Sequence, residues 1–181
     1  MSSLLTLLFA PTFLIFIKFF DFQKVVIIYI VISLLFFAYA LFKKKKAEDF
    51  YVLGIYLSIL FIAYFNNDFA TVKFIPVLSA LAFFAIFAHS VVKKNELIYK
   101  FTTRVYKKQL SDGEILFLKQ GDLFWSVAIF IYAMFLLSLV YFASDAVWAF
   151  SSSIGWYIYF GITLFVQVTY GKMYAIKMLT K

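Results

Sequence analysis

The sequence predicts an all-α polytopic membrane protein, in which residues 1–181 form a single transmembrane domain of six helices. Two observations carry this prediction. Of the 181 residues, 65% are hydrophobic and only 14% are charged, which is more apolar side chain than a water-soluble domain of this size can cover. Charged and turn residues also divide the chain into six apolar blocks. Each block approaches the roughly 17–25 residues that cross a hydrocarbon core about 30 Å thick.

The six predicted spans follow these blocks in order. They cover about residues 4–20, 25–42, 50–65, 74–92, 123–143 and 154–171. The first block lacks the basic start of a signal peptide, so it is expected to be retained as a helix kinked at Pro11. The fourth is predicted to hold Pro76 in its first turn, where proline costs little.

Basic residues predict the orientation of the bundle. Of the 17 Lys and Arg residues, fourteen fall on one side of the predicted spans and three on the other. The richer side is expected to face the cytoplasm, together with both chain ends and the loops over residues 43–46 and 93–122. The net charge of +8 then reflects topology and attraction to anionic lipid, and nucleic-acid binding is not expected.

Three tryptophans mark predicted span ends. Trp125 lies just inside the cytoplasmic end of the fifth span, and Trp148 and Trp156 flank the opposite end around a short predicted loop, residues 144–153. Tryptophan is enriched at both membrane–water boundaries. All three are therefore expected at lipid interfaces.

The loop over residues 93–122 is long enough to have structure of its own. Its first half places apolar and basic residues on different faces of a predicted amphipathic helix, an arrangement typical of a helix lying on an anionic leaflet. A solvated basic connector is the alternative. The residues expected to contact the lipid surface are Leu97, Ile98, Lys100, Phe101, Arg104, Val105, Lys107 and Lys108.

The second half of this loop carries a helix-start signature. Ser111 and Glu114 have the spacing of a capping box, in which each side chain bonds the backbone amide of the other residue. A short helix over residues 115–118 is therefore predicted. Gly121 is expected to end it, and Asp122 is expected to cap the fifth span.

Four polar residues are candidates for a site. His89 lies about one turn from the cytoplasmic end of the fourth span. It would either exchange protons or hold a head group near Asp122 or Glu48, or it would cap helix carbonyls at the interface. Asn67 and Asp68 close the third span, and Asp68 is expected to pair with Lys73 across the turn. That turn is either a polar mouth for a ligand or a plain hydrophilic connection.

Several kinds of chemistry find no support in the sequence. There is no Cys and one His, which excludes thiolate catalysis and a multi-histidine metal site. No Asp, Glu, Lys or Arg lies at the middle of a predicted span, where pumps and coupled carriers commonly place an ionisable group. Phosphate-loop, dinucleotide and nucleophile-elbow motifs are absent. No catalytic residue, metal or cofactor is predicted, and a lipid head-group enzyme using His89 and Asp122 is the least favoured function.

The chain resembles two bacterial inner-membrane families over about its C-terminal two thirds. One is an uncharacterised family typically encoded among acyl-carrier-protein, ketosynthase and acyltransferase genes of aryl-polyene or fatty-acyl-like pathways. The residues that carry this resemblance are 73–78, 87–90, Leu97, Ile98, 112–114, Trp125 and the last two spans. The other is the intracellular septation protein A family. The residues that carry this second likeness are Asn67, Asp68, Lys73, Lys93, Lys94, Leu97, Ile98 and 123–125.

These resemblances imply a bacterial inner-membrane protein and bring no assigned catalytic residue. The leading hypothesis is a non-catalytic accessory or scaffold protein of cell-envelope or acyl-chain metabolism. It would hold partner enzymes or lipid-linked intermediates against the inner leaflet through the loop over residues 93–122. The alternative is the substrate-binding membrane subunit of a small-solute importer. It would need a buried polar pocket, for which the sequence offers few candidates beyond Gln167, Asn66 and Asn67. The sequence leaves the oligomeric state open.

Overall fold

The computed structural model describes residues 2–43, 47–106 and 110–179, and within them every regular element is helical. The all-α prediction is therefore confirmed for these residues. The helices are α1 (Ser2–Phe19), α2 (Phe22–Phe42), α3 (Ala47–Asn66), α4 (Phe69–Lys93), α5 (Leu97–Val105), α6 (Asp112–Lys119), α7 (Gly121–Phe142), α8 (Asp145–Phe150), a π-helix (Ser151–Gly155) and α9 (Trp156–Leu179).

Among the residues that the structure describes, four helical stretches are long and apolar enough to cross a membrane. They are Phe22–Phe42, Phe69–Lys93, Gly121–Phe142 and Asp145–Tyr174. Two shorter apolar stretches lie in α1 and α3, at Phe9–Phe19 and Gly54–Asn66. Length and composition thus indicate a membrane protein. Each of the six predicted spans falls on a helix.

Helix α4 begins earlier than the sequence predicts, so Pro76 lies about two turns inside it. The early start follows from Asp68, whose carboxylate accepts the backbone amides of Ala70 and Thr71 at 2.9 and 3.1 Å. A proline inside a helix removes one backbone hydrogen bond and crowds the preceding turn. In that turn the carbonyl of Lys73 accepts the indole N–H of Trp148 at 3.2 Å.

The predicted loop over residues 144–153 is instead helical. Ser144 caps α8 by accepting the amide of Val147 at 3.4 Å. The π-helix follows directly, and its buried serine hydroxyls donate back to carbonyls of the preceding turn: Ser152 to Trp148 at 2.6 Å and Ser153 to Ala149 at 2.5 Å. Serines that bond locally in this way satisfy their hydroxyls without water, so the segment can be buried.

The aromatic-belt interpretation is wrong for two of the three tryptophans. Trp148 is fully buried and Trp125 is 3% exposed, so both pack within the protein. Each indole N–H has a protein acceptor, the carbonyl of Lys73 for Trp148 and the Oε1 atom of Gln167 for Trp125. A buried indole needs such a partner. Trp156 is half-buried.

The chain divides into two compact units. The first comprises Met1–Ser79 and Ala133–Trp156. Its core is an aromatic cluster in which the rings of Phe9 and Tyr29 meet edge to face at 5.1 Å and those of Phe9 and Tyr56 at 5.4 Å. Bulky rings rather than small residues therefore hold α1, α2 and α3 together.

The second unit comprises Ala80–Tyr132 and Tyr157–Lys181. Within this unit Trp125 is buried, with its ring centroid 4.5 Å from that of Phe160. The hydroxyl of Tyr159 donates to the carbonyl of Ala128 at 2.8 Å, which joins α9 to α7. This unit also contains α5 and α6, and the candidate site lies here.

Candidate functional site

A buried carboxylate organises one end of the second unit. Asp122 lies in the first turn of α7 and is 3% exposed. Its Oδ2 atom accepts the hydroxyl of Ser90 at 2.5 Å and the amide of Leu97 at 2.8 Å, and its Oδ1 atom accepts the amide of Ile98 at 2.8 Å. Three charge-assisted bonds compensate the burial of this charge. They join the end of α4, the start of α5 and the start of α7.

Asp122 therefore caps α5, whereas the sequence predicts that it caps the fifth span. The first amides of a helix have no acceptor within the helix, and Glu96, at the N-cap position of α5, makes no side-chain capping bond. A carboxylate from another part of the chain fills this role. Its negative charge is also favourable at the helix N-terminus.

The turn between α4 and α5 is tight and strained. Lys94 and Glu96 both have a φ of 52°, in the left-handed region that costs energy for residues with a Cβ. The amide of Asn95 donates to the carbonyl of Ser90 at 3.0 Å. The bonds to Asp122 close this turn from the other side, which keeps α5 against the end of α7.

Gly121 allows α5 to approach α7 closely. A Cβ atom at this position would lie 2.8 Å from Cγ2 of Ile98 and 2.9 Å from Nε2 of Gln167. Gln167 is 5% exposed and its Oε1 accepts the indole of Trp125 at 2.6 Å. Among the described residues its Nε2 atom has no hydrogen-bond partner. A larger residue at position 121 would therefore clash with Ile98 and Gln167.

Helix α6 begins with the capping box that the sequence predicts. The amide of Ser111 donates to Oε2 of Glu114 at 2.8 Å, and the amide of Glu114 donates to the Ser111 hydroxyl at 3.4 Å. The helix runs over Asp112–Lys119, longer than the predicted 115–118, because the cap fixes its start. The space beside Gly171 is occupied by the ring of Phe117, 3.0 Å from where a Cβ would lie.

Helix α6 is also tied to α5. Lys119 pairs with Glu96 at 3.4 Å, and its ammonium lies 5.6 Å from the ring centroid of Tyr99. We call α5 and α6 together, Leu97–Val105 and Asp112–Lys119, the platform. It is held to α7 through Asp122 and Gly121.

The eight residues predicted to contact lipid do not share one environment. Leu97 and Ile98 are half-buried, on the side where α5 meets Asp122 and Gly121. The other described members are exposed: Lys100, Phe101, Arg104 and Val105. Lys107 and Lys108 lie outside the described residues. The exposed group is thus limited to the later part of α5.

The predicted polar residues separate into different roles. His89 is exposed, whereas its neighbour Ser90 is buried and donates to Asp122. Sequence reasoning missed Ser90, and its position in the last turns of a predicted span was the only available signal. In the first unit, Asp68 caps α4 and Asn67 has a φ of 50°. The bond from the Ala70 amide is the largest influence that holds the pKa of Asp68 below its usual value.

Lys73 pairs with Asp145 and not, as predicted, with Asp68. Its ammonium lies 2.7 Å from Oδ1 of Asp145 and 5.3 Å from the ring centroid of Phe69. Asp68 is already engaged by its own helix, because both of its oxygens accept bonds from residues 70 and 71. Lys73 is 9% exposed, so the Asp145 carboxylate and the ring supply the interactions that water would otherwise provide.

Replacing Asp145 with Asn is expected to lower the free energy of unfolding by about 1–2 kcal/mol. Breaking a buried pair costs about 3–5 kcal/mol, and the half-exposed Asp145 side chain reduces this through solvent screening. Unfolding in detergent measures the change. Asp21→Asn is the matched control, because Asp21 pairs with Lys24 at 2.8 Å on a fully solvated surface, and no measurable change is expected there. Equal losses in the two variants would contradict the assignment of Lys73 to Asp145.

Comparisons of the chain with protein-family models, with curated proteins and with solved structures found no match. The function proposed below therefore rests on the geometry of the site and on the sequence.

Proposed function

We propose that this chain is a non-catalytic accessory protein of the bacterial inner membrane. It holds partner enzymes, or lipid-linked intermediates of cell-envelope or acyl-chain metabolism, at the cytoplasmic face. The observation that carries the proposal is the platform, two short helices fixed at the ends of α4 and α7. Both oxygens of Asp122 are engaged in fixing it, which supports a structural role for the carboxylate in this region.

The proposal includes six membrane crossings with both ends, the loop over residues 43–46 and the platform in the cytoplasm. It is supported by the helices at all six predicted spans and by the fourteen basic residues on one side. Several of those fourteen, Lys44, Lys45, Lys46, Lys107, Lys108 and Lys181, lie outside the described residues, so that count comes from the sequence.

Reporter fusions test the topology. Cytoplasmic signals are expected for fusions after Lys46, near Gln109 and at Lys181. External signals are expected for fusions near Gln23, Ala70 and Ser152. Consecutive fusion sites are separated by one predicted span each, so the signal alternates along the chain. Two consecutive fusions that report the same side would contradict six crossings, and a uniform reversal would contradict the orientation.

Photo-crosslinking in native membranes tests the function. A photoreactive amino acid at Leu116, which is 40% exposed on α6, is expected to capture an acyl-carrier, ketosynthase or other envelope-pathway enzyme. Ile131 is the matched control, since it is equally apolar, 56% exposed and within α7, where lipid is expected to be its neighbour. Adducts with such enzymes at Leu116 alone support the proposal. No adducts with them, or equal adducts at both positions, would overturn it.

The importer-subunit alternative depends on a polar pocket. Gln167 is its strongest candidate residue, and the amide of that side chain lies between Trp125 and Gly121. Its Nε2 atom, which has no hydrogen-bond partner among the described residues, lies 2.9 Å from where a Cβ at Gly121 would lie, which leaves little space for a solute there. A small polar ligand that co-purifies with the protein would favour the importer over the accessory role.

A further inference from the structure

Helix α5 has two halves with different surroundings. The first turn is fixed by Asp122 and packs against Gly121 through Ile98. Beyond it, large apolar side chains face outward without protein cover. We call them the free face of α5: Phe101, 67% exposed, and Val105, 65% exposed.

Basic residues flank the free face. Phe101 and Val105 are four residues apart and therefore lie on the same side of the helix, and Lys100 and Arg104 form a parallel pair on the adjoining side. Both basic side chains are exposed. An apolar strip beside a basic strip matches a leaflet that offers hydrocarbon below anionic head groups.

The position of α5 also points to a membrane surface. Its first amides bond to the first turn of α7, and the preceding residues follow directly from the end of α4. Both of these helices are long and apolar enough to span a membrane. The start of α5 thus lies beside the C-terminal end of α4 and the N-terminal end of α7. Lys93 and Lys94, which are exposed, lie at that same end of α4.

We propose that the free face of α5 inserts into the head-group region of an anionic leaflet, with Lys100 and Arg104 on lipid phosphates. The ligand is anionic phospholipid as a surface, and Leu97 and Ile98 take no part because the protein already engages them. This inference rests on the proposed function only in assigning α5 to the cytoplasmic side.

The Asp122 cap gives this lipid contact a physical advantage. A nine-residue helix is unstable alone in water because its first turn is costly to form. Here the first turn is already formed, since Asp122 holds two of its amides. Binding to lipid then requires little further ordering.

Single-cysteine spin labelling of the full chain tests the inference. The chain has no cysteine, so Val105→Cys and Thr103→Cys each carry one label, on opposite faces of α5. The protein is reconstituted in vesicles of phosphatidylcholine, with or without phosphatidylglycerol. In anionic vesicles the label at 105 is expected to be at least about threefold less accessible to a water-soluble nickel chelate than the label at 103. This difference should shrink in neutral vesicles and in high salt.

Two outcomes would overturn the inference. Equal nickel accessibility at 105 and 103 in anionic vesicles would show that the free face stays in water. Equal protection of position 105 in neutral and anionic vesicles would show that anionic lipid is not the ligand.

Matched aspartate variants complete the test. Phe101→Asp is expected to abolish the protection at 105, whereas Thr103→Asp, with the same charge change on the other face, should retain it. Phe101 and Thr103 are both exposed, so both variants should unfold like the unsubstituted protein. Loss of protection in both variants, or in neither, contradicts insertion of the free face.

The failure of this inference can be told apart from the failure of the proposed function. Protection at 105 without enzyme adducts at Leu116 would contradict the proposed function alone. Enzyme adducts at Leu116 without protection at 105 would contradict this inference alone.

Discussion

Replacing Asp122 with Asn is expected to lower the free energy of unfolding by about 2–4 kcal/mol. The carboxylate is buried and accepts three hydrogen bonds, and a bond to a charged group contributes about 1.5–3 kcal/mol. The asparagine side chain would retain one acceptor oxygen. Its NH₂ group is a donor, however, and would face the Ser90 hydroxyl or the backbone amides at the start of α5, which donate to the carboxylate in the unsubstituted protein. Unfolding in detergent, followed by tryptophan fluorescence, measures the loss.

Asp112→Asn is the control for this variant. Asp112 also lies in the first turn of its helix, α6, but it is exposed, and no measurable change is expected. Equal stability of the Asp122→Asn and Asp112→Asn proteins would show that the hydrogen bonds of the Asp122 carboxylate do not stabilise the fold as proposed.

Replacing Gly121 with Ala is expected to cost about 1–3 kcal/mol, the usual penalty for overpacking. The new methyl group would lie 2.8 Å from Cγ2 and 3.0 Å from Cβ of Ile98. These atoms belong to a β-branched side chain that has few alternative rotamers on a helix. Helix α5 would have to move away from α7, which lengthens the bonds to Asp122. The same unfolding assay measures the effect.

Gly161→Ala is the matched control in the same unit. Nothing lies within 4 Å of a Cβ added to Gly161, so the substitution meets no neighbour. It is expected to be neutral or to stabilise the helix by about 0.5–1 kcal/mol. A Gly121→Ala protein as stable as Gly161→Ala would contradict the close approach of α5 to α7.

Local sequence patterns predicted several parts of this structure correctly. Ser111 and Glu114 are three residues apart, and such a cap depends only on neighbouring backbone, so its position could be read directly. The helices likewise follow from apolar blocks of sufficient length. The amphipathic pattern of residues 97–105 predicted a helix there, and its basic and apolar residues occupy different faces.

Contacts between distant parts of the chain were not predictable in this way. The amide of Leu97 is 25 residues from Asp122, and the indole of Trp148 is 75 residues from the Lys73 carbonyl. No spacing rule relates such residues. Asp122 was expected to cap its own helix because local capping is the common case. The left-handed turn at Glu96, which leaves α5 without a local cap, carries no glycine to signal it.

The environments of the tryptophans likewise depend on contacts between distant parts of the chain, which the sequence patterns could not predict. A tryptophan near a span end is usually explained by the lipid interface. Trp125 and Trp148 are buried instead, because the Oε1 atom of Gln167 and the carbonyl of Lys73 accept their indole N–H groups. The acceptor that permits burial lies on another helix in each case, and only the tertiary structure reveals it.

Hydrogen exchange at the amides of Leu97 and Ile98 tests the central claim most directly. In the full chain, reconstituted in anionic vesicles, both amides are expected to exchange slowly because Asp122 accepts them. In Asp122→Asn both should exchange at least about tenfold faster, since a loss of 1.4 kcal/mol already corresponds to that factor, while amides in the middle of α7 stay protected. Exchange of Leu97 and Ile98 at the rate of an unstructured chain in the unsubstituted protein would contradict the Asp122 cap and the platform that depends on it.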